Sequence, residues 1–194
     1  MKNQVLDIII PFILAAKDGQ PISSENGMVP QMGGTKYLLG QMIRQLSIPK
    51  DHFFISKKAE ALWKQISTKD ILDYYYRETV LCENEQELIV KCYKNNSKVF
   101  SELRVKAGDC FIYRDVFHDE HMIPVNDIIE KLLAIDTPNY KNVSDVLNLI
   151  YICKMLKEED RVLYPKYHRP SDINQIMKDV YAPAGIEVVV CQGL

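Results

Sequence analysis

The sequence has no CxxC pair, no GK[ST] after a glycine-rich turn, no internal repeat and no low-complexity segment. Its five cysteines (Cys82, Cys92, Cys110, Cys153, Cys191) are scattered and odd in number. That argues against a cysteine zinc site and for buried thiols in a reducing, cytoplasmic setting. No stretch approaches the length needed to span a bilayer, so no membrane partner is expected. The apolar run Val5–Ala16 is interrupted by Asp7 and Pro11 and preceded only by Lys2, which makes a poor secretory signal. A strong charge of one sign is lacking too. The net charge of −2 gives no bulk attraction to nucleic acid, so such binding would need a local basic patch. Gly33-Gly34 precedes a helical pattern, but without GK[ST] it reads as an ordinary turn rather than a phosphate cradle.

What is present suits a folded chain. The 194 residues, 47% hydrophobic and 26% charged, suffice for one good core. Residues 4–17 read as a short apolar helix or strand broken at Pro11, followed by a loop from Lys17 to Thr35. Leu38, Leu39, Met42, Ile43 and Leu46 recur at helical spacing, and Ser47-Ile48-Pro49 ends that helix. Ser56 has the place of an N-cap for a helix through Ile66, with Ala59, Leu62, Trp63 and Ile66 on one face. Tyr74-Tyr75-Tyr76 reads as a partly buried segment. Alternation over Glu78–Tyr93 predicts a hairpin, Thr79–Cys82 against Leu88–Tyr93 with a turn at Asn84–Gln86. Asn95-Asn96-Ser97 is another turn, and Gly108-Asp109 introduces a strand from Cys110 to Tyr113.

A short helix follows Pro124, carrying Ile128, Ile129, Leu132 and Leu133. The pattern from Asp145 to Leu163 admits two readings: one helix capped near Ser144, or a strand Leu147–Ile152 followed by a helix from Lys154. Asp172–Tyr181 reads as a helix and Ile186–Val190 as a final strand. The order implies a single α+β domain with an N-terminal helical region, 1–70, packed on an α+β part, 71–194.

Two features can carry chemistry. Between Thr35 and Asp70 stand seven Lys/Arg against three Asp/Glu. Arg44, Lys57 and Lys58 there are candidates for contacting phosphates, as is Arg169 in the loop His168-Arg169-Pro170. The plainer readings are a solvated helix face and an ordinary loop. The second feature is Tyr113–Pro124, which packs His118, His121, Asp115, Asp119 and Glu120 into nine residues beside an apolar strand. Strand neighbours face opposite ways, so Glu120 and His121 share a site only where the strand ends or bends, and Pro124 provides such an end. Asp119 and Glu120 can offer carboxylate oxygens to Mg²⁺ or Mn²⁺, and a neutral imidazole can take a proton from water.

Glu120-His121-Met122-Ile123-Pro124 resembles the first half of the HNH, or ββα-metal, nuclease motif. Asn148-Leu149-Ile150-Tyr151-Ile152-Cys153 resembles the opening of that motif's second strand. The resemblance covers about residues 108–163 and implies a ββα-metal-like core. It further implies metal-dependent cutting of DNA, often in restriction or phage defence, with a homodimer or partner subunit for two-strand cleavage. It makes His121 the general base, Glu120 a metal ligand, and Asn148 the residue that orients the histidine or joins the metal shell. The family's third position, a His or Asn on the following helix, falls at Lys157-Glu158-Glu159-Asp160. Lysine cannot ligate, so Glu158 or Glu159 would substitute.

Plainer roles stand beside these. His118 is then a strand-end surface histidine, Glu120–His121 a structural pair, Asn148 a polar helix position, and Glu158-Glu159-Asp160 a solvated face near a helix end. The alternative functions are a non-catalytic nucleic-acid or protein-binding module and a different divalent-metal hydrolase.

Overall fold

The computed structural model describes residues 2–17, 34–93, 99–164, 166 and 168–191. Most of the loop expected after Lys17, the Gly33 turn, the Asn95–Ser97 turn and Pro165 lie outside them. The helices and strands begin with α1 (Lys2–Lys17), α2 (Gly34–Arg44), β1 (Phe53–Ser56), α3 (Lys57–Ile66), β2 (Thr79–Leu81), β3 (Leu88–Cys92), β4 (Ser101–Val105) and β5 (Cys110–Ile112). They continue with α4 (Tyr113–Val116), β6 (Phe117–His121), α5 (Val125–Leu133), α6 (Tyr140–Leu147), β7 (Ile152–Leu156), α7 (Lys157–Val162), α8 (Ile173–Ile176) and β8 (Val188–Val190). The protein is α+β. It divides into two compact units: Met1–Ile48 with Ile123–Ile150 and Lys166–Ser171, and Pro49–Met122 with Tyr151–Pro165 and Asp172–Leu194.

The first unit is helical. α1 packs on α2, α5 and α6, and α2 packs on α5. Ile9, Ile13, Leu39, Ile43, Ile128, Leu132 and Val143 are buried. Gly40 lets α2 approach α5, since a Cβ there would lie 3.3 Å from Ile129 Cδ1. Contrary to expectation, α1 continues through Pro11. The proline is exposed, and a single lost backbone bond does not outweigh the buried stripe of Leu6, Ile9 and Ile13. Asn139 caps α6 in a reciprocal capping box with Asn142.

The second unit is built on a four-stranded mixed sheet in the order β6-β7-β1-β8. β6 and β7 are antiparallel, β7 and β1 parallel, and β1 and β8 antiparallel. β1 was not expected from the sequence, because Phe53–Ile55 is a short apolar run without alternation. Ser56 does cap α3: its Oγ accepts the Ala59 N–H at 3.1 Å. Trp63, fully buried on α3, stacks edge-on with Tyr74 and Phe117 and donates from Nε1 to Lys69 O at 2.7 Å. Tyr74 is buried while Tyr75 and Tyr76 are exposed.

The expected hairpin is corrected. Both strands form, but β2 pairs with β5 and β3 with β4, each antiparallel. Alternation identifies a strand without naming its partner. The strand entering the focal stretch is also not continuous, because α4 inserts one helical turn between β5 and β6. In the 145–163 region neither expected reading holds as drawn. α6 runs to Leu147, the strand is β7, and α7 starts at Lys157.

At the centre of the sheet Lys154 has no solvent exposure. Its Nζ donates to Tyr74 O at 2.8 Å, Asp119 Oδ1 at 3.1 Å and Tyr113 Oη at 3.5 Å. The Tyr113 hydroxyl itself donates to Asp119 Oδ1 at 2.9 Å. Asp119 and Lys154 are directly opposite in the β6–β7 register. Lys154→Met is expected to destabilise the fold by about 3 kcal/mol, because it strands Asp119 and the Tyr74 carbonyl. Pairing it with Asp119→Leu should recover part of that loss. Urea unfolding of both variants checks this, and a double variant equal to the sum of its singles would refute the coupling.

Candidate metal centre

The strand β6 runs regularly from Phe117 to His121, so alternation divides its polar residues between two faces. Asp119 turns to the face of Lys154. His118 and Glu120 turn to the other, opposite Met155 and Cys153 of β7. His118 Nε2 lies 3.4 Å from Glu120 Oε2 and 3.9 Å from Asp160 Oδ1. One imidazole nitrogen and two carboxylate oxygens thus lie within 4.8 Å of one another. Their side chains are 33%, 14% and 23% exposed, a level that admits an ion while removing much of its competing water.

Asp160 reaches this place through a linked set of contacts. The Ser56 hydroxyl that caps α3 donates to Glu159 Oε2 at 2.5 Å. The same oxygen accepts the Leu156 N–H at 3.0 Å, closing the start of α7. Glu159 is buried, with no hydrogen-bond partner on its Oε1. The residue that sequence reasoning offered as a ligand is therefore the brace that sets the backbone of its neighbour. Glu158 pairs with Lys91 at 2.7 Å. All three acids sit in the first turn of α7. The helix end they stand near is therefore its N-terminus, where their charge complements the helix dipole.

Among the described residues, Asp119, His121, Glu158 and Glu159 are in no such metal-holding group, while Glu120 is. Asn148 does not open a strand. It caps the C-terminus of α6, its N–H donating to Ser144 O and Val146 O, and it belongs to the first unit. The proposed phosphate contacts are also spread over both units. Lys57 is exposed and ion-paired with Glu187, and Lys58 and Arg44 are exposed. Arg169 is 5% exposed, its backbone N–H donating to Asp127. From the sequence, His118 reads as a strand-end surface histidine, and Glu158 or Glu159 is preferred to Asp160 as the third ligand. The i, i+2 spacing of His118 and Glu120 was the available signal, since it places them on one strand face.

The cluster is acidic. Burial alone would lower the His118 pKa, but the Glu120 hydrogen bond and the charges of Asp160, Glu120 and Asp119 outweigh it and hold the imidazole above its usual 6.5. Cys153, opposite Glu120, is fully protonated at neutral pH, because burial and then the Glu159 and Glu120 charges push its thiol well up. Among the described residues it is in no metal-holding group.

No protein-family model matches the chain, and neither a curated protein nor a solved structure does.

In metal-free protein the imidazolium of His118 is favoured by folding. Its stabilising contribution is fully present below pH 6.5 and is lost as pH rises through the elevated folded value. The His118 ring signals in an NMR titration should therefore show a midpoint above 6.5, and Glu120→Gln should lower it. A wild-type midpoint at or below 6.5 would contradict the geometry.

Proposed function

We propose that the chain is a divalent-metal-dependent endonuclease of the HNH type, hydrolysing phosphodiester bonds of DNA. One observation carries this: β6 and β7 pair antiparallel, β7 leads directly into α7, and the three elements gather His118, Glu120 and Asp160 around a single point. Apart from α5 and α6, which stand between the two strands, that is the order of elements the sequence resemblance implies. Asp160 takes the third position for which Glu158 or Glu159 was expected.

The residues fit an ion. Two carboxylates and one imidazole, all partly desolvated, offer three ligand atoms within 4.8 Å of one another. Carboxylates suit Mg²⁺ and Mn²⁺, and the imidazole favours Mn²⁺. Such an ion, when bound, polarises a phosphoryl oxygen and acidifies a bound water. Glu120 and Asp160 would hold it, and His118 would complete the set or, on the same side of the strand, accept a proton. His121, the base implied by resemblance, stands on the other face of β6 by alternation, which makes His118 the imidazole to act with Glu120.

The test is cleavage of supercoiled plasmid by purified protein with Mg²⁺, with Mn²⁺ and with EDTA. Nicking or linearisation is expected with metal, more with Mn²⁺, and none with EDTA. His118→Ala and Asp160→Asn should each lower the rate by about 100-fold or more, with His121→Ala less affected. Full loss in His121→Ala alone would keep the reaction but overturn this site. The absence of cleavage in every metal, with folded protein, would sink the nuclease reading.

A further inference from the structure

We propose a second divalent-cation site, within the helical unit, formed by Asp127, Glu130 and His168. Asp127 and Glu130 are three residues apart on α5, so they stand on one flank of the helix. Their carboxylate oxygens and the His168 ring nitrogen lie within 4.8 Å of one another.

What sets this group apart from an ordinary acidic patch is the state of Asp127. Its side chain is only 8% exposed. One oxygen, Oδ2, accepts the Arg169 backbone N–H at 3.1 Å. The other, Oδ1, is buried with no hydrogen-bond partner among the described residues. An unsatisfied buried carboxylate oxygen is costly, and His168 Nδ1 stands 3.9 Å from it, too far for a hydrogen bond. The approach of Glu130, a second carboxylate, makes a cation the fitting occupant. His168 also holds a left-handed backbone, φ 57°, the single non-glycine residue with positive φ among those described. That conformation is unfavourable for a side-chain-bearing residue and recurs where a side chain must be aimed. Here it accompanies an imidazole directed at the buried oxygen.

One imidazole and two carboxylates suit a borderline ion, and Zn²⁺ is the tightest-binding redox-inert candidate for that set. Its effect would be to tie the 168–169 backbone to α5. The site shares no residue with the cluster on β6 and α7, so it does not depend on the nuclease reading.

The test uses full-length protein carrying Glu120→Gln and Asp160→Asn, which disables the other cluster. It is stripped with chelator and titrated with Zn²⁺ by calorimetry. A single Zn²⁺ per chain is expected, together with a raised thermal midpoint. Adding His168→Gly removes the imidazole while suiting the left-handed backbone, so the fold is retained. Affinity should then fall by at least about ten-fold, and the thermal shift should shrink. The absence of Zn²⁺ binding in the parent, or binding that His168→Gly leaves unchanged, overturns the proposal.

Discussion

The second unit depends on one buried ammonium. Lys154 is enclosed by the rings of Phe53, Tyr75 and Tyr113 and donates to three oxygens. A charge so placed is tolerated only when every donor finds an acceptor. The acceptors come from three separate parts of the chain: the Tyr74 carbonyl, the α4 hydroxyl of Tyr113 and the β6 carboxylate of Asp119. Meeting that demand fixes which residue of β6 stands opposite Lys154. A one-residue slip would set His118 or Glu120 against the ammonium and turn Asp119 away. The same pairing that satisfies the lysine thus sends His118 and Glu120 to the opposite face.

The face so chosen is completed from the other end of the same strand. β7 ends at Leu156, and Glu159 folds back to accept its N–H and the Ser56 hydroxyl. Ser56 belongs to β1, the strand parallel to β7, and also caps α3. One hydroxyl therefore couples the start of α3 to the start of α7. Because Asp160 follows Glu159 directly, the brace also sets where Asp160 points. Polar residues buried in the unit are spent on orientation rather than on contact with solvent.

Local signals in the sequence were legible where the physics is local. Ser56 as an N-cap, the α3 face, the end of α2 and the helix after Pro124 rest on contacts within a few residues, and all are present. What failed was partner choice. Nothing in Thr79–Leu81 says that it prefers Cys110–Ile112 to Leu88–Cys92, because that preference is set by the core around Trp63. The strand β1 was invisible because a central strand buried on both faces has no alternation. Within the focal stretch the family resemblance couples Glu120 to the adjacent His121. The strand rule already implied that His118, two residues away, was the companion on its face. Asp160 was legible only as one of three acids, since telling them apart needs the contacts of Glu158 with Lys91 and of Glu159 with Ser56.

The three acids of α7 show how one short run acquires three roles. Each occupies a different direction around the first turn, and each direction meets a different environment. Glu158 faces solvent and Lys91, so it acts as a screened surface charge of small energetic weight. Glu159 faces the interior, where it is retained because Ser56 and Leu156 donate to it. Asp160 faces His118, where its charge helps to hold the imidazole protonated in the absence of metal. A divalent cation of the kind proposed for this cluster would compete with that proton. The His118 pKa is thus held above its usual value by the carboxylates that the β6–β7 register and the Glu159 brace place beside the imidazole.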